Sequence, residues 1–100
     1  MIRTANPARG EALVAGIMLR PSFAALVAAE EELGPLFALV ERAAAGQLKL
    51  SEMVALFWHC RFAAPADLSR DAFSDGVTFS GLAAATPALK TLLGQILGGR

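Results

Sequence analysis

The chain has one histidine, His59, and it stands beside the one cysteine, Cys60. A thiol and an imidazole could serve as nucleophile and base. Adjacent residues of a helix point about 100° apart, however, so these two do not readily share a proton. No second histidine lies four residues away to complete a metal pair. A lone cysteine also excludes an intramolecular disulfide and a multi-cysteine metal site, and it fits a reducing compartment. Glu30, Glu31 and Glu32 are consecutive, so their carboxylates fan around a helix instead of converging. Asp67, Asp71 and Asp75 recur at every fourth residue without the alternating-residue loop of a hand-type calcium site, and read as a solvated acidic face. No nucleophile elbow, phosphate loop or dinucleotide fingerprint occurs. A small hydrolase built from a serine, His59 and an aspartate therefore has no motif behind it. The expectation is no enzyme, no cofactor and no metal.

The elements that would position these residues are well punctuated. Residues 9–20 read as a β-hairpin around Ala15-Gly16, with Gly16 supplying the positive φ of a tight turn. From Pro21 onward, residues 21–97 read as helical. Pro21-Ser22 opens a helix that stops at Gly34, and Pro35 starts a second that ends near Ala45-Gly46. Ser51 is expected to cap a third, reaching about Phe62 before Pro65. Ser69 caps a short fourth, closed by Gly76, and Ser80 or Thr86 caps the last, with Pro87 in its first turn. The fold class is α+β, mainly α: an N-terminal hairpin followed by about five short helices packed as a small bundle. Residues 1–8 are expected to be a flexible N-terminus of one domain spanning 1–100.

Two helices have unusual faces. In the first, Phe23, Leu26, Val27 and Glu30 share one stripe, which puts a carboxylate on the apolar side. Such a group needs a partner: a basic side chain such as Arg20 or Arg61, or backbone donors at a neighbouring helix start. It could also lie at the stripe's edge. The third helix is apolar nearly all round, with Met53, Leu56, Phe57 and Cys60 on one side and Val54, Ala55, Trp58 and Phe62 on the other. Such a helix is either the enclosed centre of a bundle or has a second face for a partner.

Composition narrows the partners. The chain is 55% apolar and 18% charged, which suits a folded core and not a disordered segment. Nine basic groups balance nine acidic ones, so no one-sided positive field exists for a phosphate backbone, and nucleic-acid binding is not expected. The longest uncharged run, residues 76–89, is too short and too polar to span a bilayer, and no signal-peptide pattern opens the chain. No membrane association is expected, and the location expected is the cytoplasm of a bacterial host.

The order of short motifs carries a resemblance. A hairpin beginning Asn6-Pro-Ala-Arg-Gly-Glu11 is followed by Leu19-Arg-Pro-Ser-Phe23, then Glu30-Glu-Glu-Leu-Gly34, then Gly46-x-Leu-x-x-Ser51-Glu-Met-Val-Ala-Leu56. Over residues 6–97 this resembles the small gene transfer agent family proteins of alphaproteobacterial phage-like tail modules, which are similar to phage tail assembly chaperones; the resemblance leaves open a gene transfer agent or a prophage as the source. Ala15-Gly16 departs from the Asp-Gly frequent in that family, and Trp58-His59-Cys60 is bulkier than its usual residues. The resemblance implies a non-enzymatic chaperone that binds the tape-measure protein and helps recruit tail-tube protein, with self-association also possible. The alternative is a generic helical adaptor that binds an amphipathic helix. The family's glutamate and glycine stop match Glu30 and Gly34, which join Gly16 as structural residues. The expected partner surface is a groove between the third helix (Met53, Phe57, Trp58, Arg61) and the last (Leu89, Leu92, Leu93, Ile96).

Overall fold

The computed structural model describes residues 11–98. Strands β1 (Ala12–Val14) and β2 (Ile17–Leu19) pair antiparallel, and five helices follow: α1 (Phe23–Leu33), α2 (Leu36–Ala44), α3 (Leu50–His59), α4 (Arg70–Ser80) and α5 (Leu82–Gly98). This is the hairpin-then-helices order read from the sequence. The stretch expected to be flexible, 1–8, and the first hairpin residues, Arg9 and Gly10, lie outside the described residues.

The hairpin turns through Ala15 at φ 52° and Gly16 at φ 78°. Positive φ at both central residues is the backbone of a type I′ turn, whose twist matches the strands. Gly16 adopts it freely; Ala15 does so at a cost of about 1–2 kcal/mol. Two strands alone are marginal in water. Here β1 packs on α5, and the chain leaving α3 extends the sheet on the far edge of β2. Arg61 bridges Leu19, Phe62 N donates to the Met18 carbonyl at 2.8 Å, and Arg20 N donates to the Cys60 carbonyl at 2.7 Å. This pairing pulls residues 60–62 out of the helix, so α3 ends at His59 and not at Phe62. The buried Glu11 is held by Arg20 at 2.6 Å and 2.9 Å, and that guanidinium also lies 3.7 Å above the Phe62 ring.

Three helix ends differ from expectation. Lys49, not Ser51, precedes the first residue of α3; Glu52 reaches back so that its Oε1 accepts from Lys49 N at 3.0 Å. The same carboxylate takes Arg42 of α2 at 2.5–2.6 Å, which ties the two helices. Gly76 does not end α4, which runs on to Ser80 and stops at Gly81. There α4 passes so near the hairpin turn that a Cβ on Gly76 would sit 3.4 Å from that of Ala15. Helix α5 then begins at Leu82, which places Pro87 inside it and not in its first turn. Proline lacks the N–H that would bond the Ala83 carbonyl one turn back, and Ala83 is exposed, so water can satisfy that carbonyl.

The core centres on α3. Met53, Val54, Ala55, Leu56 and Phe57 are all buried, five consecutive residues that cover every side of the helix. Helix α1 covers one side and α4 another, with Phe73 and Val77 of α4 and Ala85, Ala88 and Leu92 of α5 completing the cluster. Helix α1 meets the core through Ala29, which is fully buried, with Ala25, Leu26 and Leu33 packed beside it. Small residues there let the helix axes approach closely.

Candidate functional site

The residues with chemical potential are tied down. Cys60 is fully buried, and desolvation pushes its thiol up to about 12. His59 Nε2 lies 2.8 Å from Glu32 Oε1, and Arg70 grips both oxygens of the same carboxylate at 2.5 Å and 2.9 Å. Arg70 first and His59 second lower Glu32 to about 2. The cluster joins α1, α3 and α4 at the surface, where it acts as a staple. Asp67, Asp71 and Asp75 are exposed.

Of the groove expected between the third and last helices, Met53 and Leu89 line a small open pocket with Leu50, Leu82 and Thr86. Met53, Phe57 and Leu92 are buried in the core cluster. Trp58 is half-buried against Phe73, with ring centroids 5.8 Å apart, and the Arg61 guanidinium lies over the Trp58 ring, 3.3 Å from its centre. Arg61 Nε also donates to the Trp58 carbonyl at 2.7 Å. Leu89 and Leu93 are partly buried against the core cluster. Of the eight proposed positions, Ile96 stands elsewhere, at the end of α5 beside α1 and α2.

That neighbourhood is the candidate site. The turn at Gly34 (φ 86°) and Pro35 folds α2 back against α1. Glu30 Oε2 accepts from Leu36 N at 3.1 Å, so a carboxylate of α1 satisfies a free donor at the start of α2. Between the two helices lies an open apolar groove of about 230 Å³, lined by Phe23, Leu26, Val27 and Glu30 of α1, Leu36, Phe37 and Val40 of α2, and Ile96. Phe23 is 83% exposed and Phe37 81%. Burying an aromatic side chain is worth about 1.5–3 kcal/mol, and these two forgo it. Large apolar residues left open in one concave patch mark an interaction surface. Sequence periodicity shows that Phe23, Leu26 and Val27 share a face, but it does not show which face of α1 meets the core. The alanine side does. Phe37 gave no sequence signal of its own, because neighbouring Leu36 and Leu39 already supply α2 with a buried face.

The family described as "Phage tail tube protein, GTA-gp10" matches residues 15–99. The chain belongs to this family. The match runs from the hairpin turn through α5 and takes in every groove residue. It identifies a gene-transfer-agent or phage tail protein, with assembly into a phage-like tail particle as its setting. No curated protein and no solved structure matches the chain.

Proposed function

We propose that this tail protein is a non-enzymatic assembly chaperone, acting in the bacterial cytoplasm, whose α1–α2 groove binds a helical segment of the tape-measure protein while tail-tube subunits are recruited. The observation that carries this reading is the groove itself, an apolar concavity with Phe23 and Phe37 standing open on its walls. Helix-in-groove recognition needs such a trough and aromatic or aliphatic anchors, and it needs no catalytic group. Co-expression with the tape-measure protein of the same tail module, followed by affinity capture and size-exclusion chromatography, tests it. A co-eluting complex that is lost in Phe23→Ala/Phe37→Ala supports the chaperone.

The family's description favours a second reading, a subunit of the tail tube itself. A tube subunit must join copies of itself through two different complementary faces. Concentrated protein that forms rings or tubes in electron micrographs, without a partner, would support that reading over the chaperone.

A further inference from the structure

If the groove takes a partner helix, as proposed above, its rim sets the charge of that helix. Glu30 lines the groove and uses Oε2 on Leu36 N, which leaves Oε1 without a protein partner among the described residues. Glu31 follows Val27 by four residues on α1, and Glu41 follows Phe37 by four on α2, so each carboxylate continues the face of a groove residue. All three glutamates are exposed, and none is in an ion pair among the described residues. The nearby cations are engaged elsewhere: Arg20 with Glu11, Arg42 with Glu52, Arg70 with Glu32, and Arg61 over Trp58.

We propose that the groove selects a basic amphipathic helix, one whose apolar anchors are flanked by Lys or Arg that meet Glu30, Glu31 and Glu41. The α1 wall from Phe23 to Glu30 is roughly 10 Å long at 1.5 Å per residue, two turns of helix. A partner helix would fill it with anchors at i, i+3 or i+4, and i+7. A second copy fits this rim badly. Two-fold pairing through the groove would bring both copies of this acidic rim into one interface without adding a cation from the rim, and like charges sharing an interface are unfavourable. The chain's most exposed aromatic, Phe79, shares its helix face with Asp75 and Asp71, so inserting it would add acid to acid.

The test is titration of the full chain with three labelled helical peptides that share apolar anchors and carry Lys, Gln or Glu at the flanking positions. At low ionic strength the Lys peptide should bind about tenfold tighter than the Glu peptide, and high salt should compress that span. In Glu30→Gln/Glu31→Gln/Glu41→Gln the preference among the three peptides should vanish, and an amide at position 30 can still accept from Leu36 N. Equal binding of all three peptides to the native chain, or a preference that survives in the triple variant, would overturn the charge selection and leave the groove standing. Failure of every peptide at every salt concentration would overturn both.

Discussion

Glu30 and Leu36 belong to different helices, yet the Glu30 carboxylate accepts the Leu36 amide hydrogen at 3.1 Å and so fixes the α1–α2 corner that shapes the groove. Pro35 precedes α2 and offers no side-chain cap, so the first turn of that helix depends on a borrowed acceptor. Glu30→Gln keeps an acceptor and should cost under about 0.5 kcal/mol, whereas Glu30→Leu removes it and should cost about 1 kcal/mol, the usual worth of a cap. Urea unfolding of the three proteins checks this; equal midpoints would show that the contact contributes nothing.

Acid should weaken the chain through Glu32. Arg70, and after it His59, hold this carboxyl at about 2, below its ordinary 4.5. A folded-state value below the unfolded one means that the stabilisation is present above about pH 4.5 and is lost as pH falls from 4.5 to 2. The Glu32 side chain is 38% exposed, so solvent screening limits the effect to a fraction of about 1 kcal/mol. Arg70→Ala should flatten this part of the pH profile of Tm, and an unchanged acid limb would contradict the assignment.

Cys60 should be inert until the chain opens. Its burial and raised thiol value predict labelling by a thiol reagent at mild alkaline pH at least about a hundredfold slower in the folded protein than in denaturant. Stopped-flow labelling at increasing urea measures the ratio, and fast labelling of folded protein would show that α3 is less enclosed than described.

Much of the architecture was legible because local chemistry decides it. The Ala15-Gly16 spacing, the Ser22 and Ser69 caps, whose hydroxyls accept from Ala25 N and Ala72 N, and the Gly34 stop all act within a few residues. What escaped depends on tertiary contacts. Gly76 looked like a helix end, but α4 packs its Phe73 and Val77 face across that position and continues. Pro87 sits inside α5 because Ala85, Ala88 and Leu92 bury together and hold the helix through it. The third helix was apolar on all sides because it is enclosed, and periodicity alone does not separate that case from a helix with a free face. The same limit hid the site, since the Phe23 stripe has the spacing of a core face but looks into the groove.

The central claim, that Phe23 and Phe37 form a binding surface and not part of the core, is tested most directly by comparing stability and binding in one pair of variants. Phe23→Ala/Phe37→Ala should shift the unfolding free energy by less than about 1 kcal/mol, because both rings are already in water, whereas Phe57→Ala should cost about 3–5 kcal/mol. In calorimetric titration against overlapping tape-measure peptides, the double variant should lose at least about tenfold in affinity, the scale of an aromatic hot spot. A double variant that binds as the native chain does, or that unfolds as readily as Phe57→Ala, would contradict the account.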